Sequence, residues 1–135
     1  MFSLKTVEAH CDIPCGIYES DTMTHAAATC VRMIEKIEEL GDVDNAQKHN
    51  TFIRCVMTKE QHAERVKHEL AVLWGDYFKP EHLDAFPDLH ERFWYTIKQA
   101  SKVKQGIDKD EAKKLQEMVH DIAHLFADSK QAHAH

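Results

Sequence analysis

His10, Cys11 and Cys15 place one imidazole and two thiols within six residues. Pro14 and Gly16 can fold such a segment back so that both sulfurs reach one ion. The spacing is Cys-x3-Cys, not the Cys-x2-Cys common in zinc fingers, and no second cysteine pair follows to complete a four-sulfur site. Three side-chain donors leave the fourth to another side chain, water or the backbone. On residue types and spacing alone the segment can bind a catalytic metal, hold a structural zinc, close a Cys11–Cys15 disulfide, or stay an unliganded end.

The other reactive residue types read differently. Cys30 and Cys55 fall inside apolar helical patterns, where a buried free thiol is expected. His120 and His124 stand four apart and read as a polar surface pair, and His133 and His135 as weak metal scavengers in a tail. Glu117-x-x-His120 is a single Glu-x-x-His motif, whereas a carboxylate-bridged di-iron bundle needs two. The formal net charge is -6 with no long block of either sign, which argues against a nucleic-acid partner. An anionic substrate would need locally placed cations, since the overall field is unfavourable. The opening MFSLKTVEA lacks the apolar stretch of a secretory signal. No run is long enough to span a membrane, and a cytoplasmic location is expected.

The elements that must position the segment are helical. Only 4 Gly and 3 Pro occur in 135 residues, a composition poor in breakers. A first helix is expected over about 22–40, capped by Ser20 or Asp21, with Met23, Ala27, Cys30, Val31, Ile34, Ile37 and Leu40 on one face and Gly41 at its end. A second runs over about 44–77, with Phe52, Cys55, Val56, Val66, Leu70, Leu73 and Trp74 inward and a polar stretch from Thr58 to Arg65 of uncertain facing. A connection follows with Gly75, Pro80 and Pro87. A third helix is expected over about 88–104, with Leu89, Phe93, Ile97 and Ala100 inward, ended by Gly106. Asp108 and Glu111 fit a capping box for a fourth over about 109–128, with Ala112, Leu115, Val119, Ile122 and Phe126 inward. The sum is all-α: an antiparallel four-helix bundle at 21–128 with an N-terminal metal-binding hook at 10–20, preceded by residues 1–9 and followed by a frayed tail at 129–135.

HCDIPCGIY, residues 10–18, resembles the active-site hook of nickel-containing superoxide dismutases, His-Cys-x-x-Pro-Cys-Gly-x-Tyr, with all six fixed residue types present. The likeness continues through KEQHAERVKHELAVLWGDYFKPEHLDAFPDLH, residues 59–90. The resemblance implies a leader, Met1–Ala9, removed by a maturation peptidase so that His10 becomes the N-terminus. It implies nickel held by the His10 amine and imidazole, the Cys11 amide nitrogen and thiolate, and the Cys15 thiolate. Anionic sulfur and amidate donors favour square-planar nickel(II) and stabilise nickel(III). The implied activity converts two superoxide ions and two protons to oxygen and hydrogen peroxide by cycling between those states. The full-length form, with no free amine at His10, is expected to be inactive. Tyr18 and Tyr77 are implied to flank the open face of the metal, and Asp12 to fix the turn of the hook. Lys79 would supply positive charge for superoxide. The family's assembly is a homohexamer.

The sequence departs from the family in two stretches. A Glu early in the first helix and an Arg in a KEQRAE-like stretch usually steady the axial imidazole. Here the first region reads TMTHAAAT, with His25 and Ala26 nearest, and the second reads KEQHAE, with His62 in place of Arg. A His-centred network could replace the pair, with Arg54 as another nearby cation. A zinc- or redox-regulated helical interaction protein would also use Cys11 and Cys15. It would leave the Pro-Cys-Gly-x-Tyr continuation and DYFKP without a purpose.

Overall fold

The computed structural model describes residues 16–133, in which α-helices follow one another with no strand among the described residues. Helix α1 is Asp21–Leu40 and α2 is Ala46–Val72, which passes directly into a π-helical turn, Leu73–Tyr77. The short α3, His82–Ala85, lies in the connection to α4, Leu89–Gln105, and α5 is Lys109–His133. Helix α1 packs on α2 and α5, and α4 packs on the same two, so the four long helices form a ring around one core. Met23, Cys30, Ile34, Val66, Leu70, Phe93, Val103, Leu115, Val119 and Phe126 fill it. Each large apolar side chain so buried contributes about 1.5–3 kcal/mol.

The helix ends show where side chains replace the expected caps. Ser20 sits at the N-cap of α1 but makes no side-chain cap bond. Glu19 does this instead, its carboxylate accepting from the Thr22 N–H at 2.9 Å. Gly41 ends α1 with φ 61°, a left-handed conformation that favours glycine. Asp108 accepts from the N–H groups of Asp110 and Glu111 at 2.9 and 3.2 Å. The other half of that capping box is not made: the Glu111 carboxylate turns to Gln99 and Lys102.

The polar stretch of α2 points a lysine inward. Lys59 is 2% exposed, and its ammonium donates to the carbonyls of Val103, Lys104 and Gly106 at 2.9, 2.7 and 2.6 Å. These are the groups that a helix C-terminus leaves unpaired. Gly106 is extended (φ -136°) and supplies no left-handed cap, so Lys59 serves that end of α4 from a neighbouring helix. Burial lowers the Lys59 pKa from its ordinary value, with the Glu60 charge opposing.

Two expectations about extent are revised. Trp74, expected in the core, is 40% exposed and donates its indole N–H to His90 Nδ1 at 2.8 Å. The helix switches at that point to π geometry, with the Phe78 N–H bonded back to the Leu73 carbonyl at 3.0 Å. Helix α5 continues past 128, so residues 129–133, expected in the tail, are helical. Ser129 is fully buried there and Lys130 lies over the Phe126 ring, 4.4 Å from its centroid.

Candidate metal centre

His10, Cys11, Asp12 and Cys15 lie outside the described residues, and the hook is described from Gly16 onward. Gly16 has φ 71° and open space where a Cβ would stand, so the glycine is required by conformation and not by crowding. Two residues on, Tyr18 packs edge-to-face on Tyr77, ring centroids 5.5 Å apart. The chain emerging from the Cys-x3-Cys segment is therefore fixed on the bundle by one of the two tyrosines named from the sequence, against the other.

The π turn helps to place Tyr77. π turns recur at functional sites because the extra residue re-aims a side chain. Tyr77 sits half-buried among Phe126 (4.8 Å), Phe78 (4.9 Å) and His82 (5.7 Å, nearly parallel). Its hydroxyl lies 2.9 Å from Ser129 Oγ. Lys130 of the same turn of α5 donates to the Tyr18 carbonyl at 3.3 Å. His82 is buried, and its Nδ1 accepts from the Lys79 N–H at 2.9 Å.

Lys79 is exposed two residues beyond Tyr77. The remaining named residues lie further along α1 and α2. The Cys30 thiol donates to the Lys59 carbonyl at 3.6 Å. Since α1 and α2 run in opposite directions, that contact sets His62 level with residues 26–27. Ala26 is buried, 1% exposed. His62 is half-buried with Nδ1 2.8 Å from the Thr58 carbonyl, which can only accept. Nδ1 therefore carries a proton and Nε2 is the nitrogen left for another partner. His25 is exposed on α1 near the same level. Arg54 is exposed eight residues before His62, about 12 Å away along the helix axis. The structure thus brings Tyr18 and Tyr77 together and sets His25 beside the level of His62, but leaves Arg54 apart.

The donor chemistry can be tested against what the bundle offers. Among the described residues no three His, Cys, Asp or Glu side chains gather to hold a metal. Cys30 and Cys55 are buried free thiols, and burial pushes the Cys30 pKa up to about 11, against the thiolate a metal needs. Glu117, His120 and His124 are not in the core, which removes the di-iron arrangement. No described group therefore competes with the imidazole and paired thiols that the sequence holds at His10, Cys11 and Cys15.

Sequence reasoning missed Ser129, Lys130 and His82. Ser129 and Lys130 fell beyond the expected end of α5. The one available signal was their i+3 and i+4 spacing from Phe126, the next step of the buried stripe.

The described residues define an all-α helical bundle in which no group of donors on facing helices is placed to hold a metal. The family model described as nickel-containing superoxide dismutase matches residues 5–130. The superoxide dismutase [Ni] of Streptomyces seoulensis is 36% identical over 126 residues, 93% of this chain and 92% of that one. Its counterpart in Streptomyces coelicolor is 35% identical over 127 residues, 94% of this chain and 92% of that one. A crystal structure of a nickel-containing superoxide dismutase with ligation corresponding to the oxidized state superposes with a TM-score of 0.81 at 34% identity, covering 90% of this chain and 99% of the other. The native nickel superoxide dismutase structure at 1.30 Å gives 0.80 at 34% identity with the same coverage. The chain belongs to the nickel-containing superoxide dismutase family, and nickel is its cofactor.

Proposed function

We propose that this chain, once cleaved after Ala9, converts two superoxide ions and two protons to one dioxygen and one hydrogen peroxide. The observation that carries the reading beyond family membership is the Tyr18–Tyr77 contact, which fixes the exit of the hook on the bundle. His10 would hold nickel through its amine and imidazole, Cys11 through its amide nitrogen and thiolate, and Cys15 through its thiolate. Nickel, when bound, supplies a one-electron couple that no side chain here offers.

The chain's own residues do the rest. With Met1–Ala9 attached, the nitrogen of His10 is a peptide nitrogen with no basic lone pair. Cleavage turns it into an amine of ordinary pKa near 8, so the uncleaved form is inactive. Asp12 fixes the turn that brings Cys11 and Cys15 together. Tyr18 and Tyr77 limit access to ligands the size of superoxide. Lys79 offers a local cation against the net charge of -6. His62, with Nε2 as its available nitrogen, and His25 orient the His10 imidazole where Ala26 cannot.

Exposed Ile53, Met57, Trp94, Tyr95 and Ile107 give the bundle apolar surface suited to a homo-oligomer, a hexamer by family likeness. No described helix is long and apolar enough to cross a membrane, and a cytoplasmic site of action is part of the proposal. Serine substitution tests the ligand set in a chain beginning at His10. Cys11→Ser and Cys15→Ser should each abolish nickel binding and superoxide removal while the helices persist, and Cys55→Ser should keep both. Retention of nickel by either hook variant would sink the assignment.

A further inference from the structure

The direction of one hydrogen bond assigns a task to α5. Ser129 is fully buried, and its hydroxyl donates to the Phe126 carbonyl at 2.6 Å, a group that can only accept. A serine has one proton, so toward Tyr77, 2.9 Å away, Ser129 can only accept. The phenol proton of Tyr77 is thus committed to Ser129, and to every other neighbour Tyr77 presents oxygen lone pairs. The ring is held as well: Phe126, one turn earlier on α5, meets it edge-on at 4.8 Å. Lys130, the next residue, holds Tyr18 by its carbonyl at 3.3 Å.

We infer that Ser129 is a positioning residue that orients Tyr77, fixing its phenol as a hydrogen-bond donor to α5 and an acceptor toward the hook. This rests on the reading of Tyr77 as a wall of the metal's open face. It adds that Tyr77 shapes access and does not release its proton to the product.

The test uses two readouts. In the intact, metal-free chain, the intensity ratio of the tyrosine ring doublet in the Raman spectrum reports whether a phenol donates or accepts. Subtracting the Tyr77→Phe spectrum isolates Tyr77 from Tyr18 and Tyr95 without touching Ser129. The wild-type difference should show a donor, Ser129→Ala should lose it, and Ser129→Thr should keep it. In the nickel-loaded chain beginning at His10, Ser129→Ala should bind azide about fivefold more tightly, on the scale of one hydrogen bond, with Ser129→Thr restoring the wild-type value. A wild-type phenol that accepts without donating, or a doublet indifferent to Ser129→Ala, overturns the inference. A changed doublet with unchanged azide affinity instead overturns the reading of Tyr77 as a wall, and the positioning role with it.

Discussion

Replacing Lys59 by methionine removes the ammonium that serves the end of α4 and keeps the volume of the stem. Three charge-assisted hydrogen bonds are lost, at 2.6–2.9 Å. Such bonds contribute about 1.5–3 kcal/mol each, and a buried acceptor left unpaired costs about 1–3 kcal/mol. Two effects reduce the sum. Methionine escapes the desolvation that the ammonium suffers, and the carbonyls of Lys104 and Gly106, whose bonds are only part-buried, can turn to water, whereas the bond to Val103 is buried. A net loss of about 3 kcal/mol is expected, a large share of the roughly 5–15 kcal/mol that keeps a domain folded. The corresponding fall in Tm is about 10 °C. Far-UV circular dichroism of the intact, metal-free chain, melted at one fixed protein concentration, reads this directly. Lys102→Met serves as the control, since Lys102 is 62% exposed and pairs with Glu111 at the surface. A loss below about 1 kcal/mol for Lys59→Met, on the scale of one ordinary hydrogen bond, would refute the view that Lys59 caps α4.

Two further outcomes follow from burial and charge. In the native, metal-free chain no more than two of the four thiols should react with a maleimide at pH 8, because Cys30 and Cys55 are buried and the Cys30 pKa is near 11; four fast-reacting thiols would contradict the packing of α1 on α2. Glu64, Asp88 and Glu111 have pKa values lowered by hydrogen bonds from Lys104, Arg92 and Lys102, so the stability they lend is present above the ordinary carboxylate range and is lost as pH falls through it. Urea midpoints should fall as pH drops below 4.5, the ordinary value for a glutamate, and less steeply in high salt because these pairs are exposed; a midpoint that rises on acidification would count against it.

The bundle was legible because its period is local. Met23, Ala27, Cys30 and Ile34 on α1, and Leu115, Val119, Ile122 and Phe126 on α5, repeat at three and four residues and are all buried as that spacing requires. The family was legible because the residue types at 10–18 are rare in combination. What escaped depends on partners distant in sequence. Lys59 sits in a polar run, and its acceptors are 44–47 residues away. Tyr77 could be named from the DYFKP segment, but its partner Ser129 is 52 residues on, in a stretch that reads as polar tail. The outward turn of Trp74 follows from a π turn that helical periodicity does not encode. Glu19 caps α1 from one residue outside the position where Ser20 was expected to act.

The central claim is that the hook works only when His10 is the first residue. Superoxide removal per bound nickel, measured side by side for the chain beginning at Met1 and the chain beginning at His10, tests it most directly. The account predicts rapid turnover from the His10 form, with nickel in equal proportion to protein, and none above that of free nickel from the Met1 form. Equal activity per nickel from both, with His10 still in peptide linkage in the first, would contradict it.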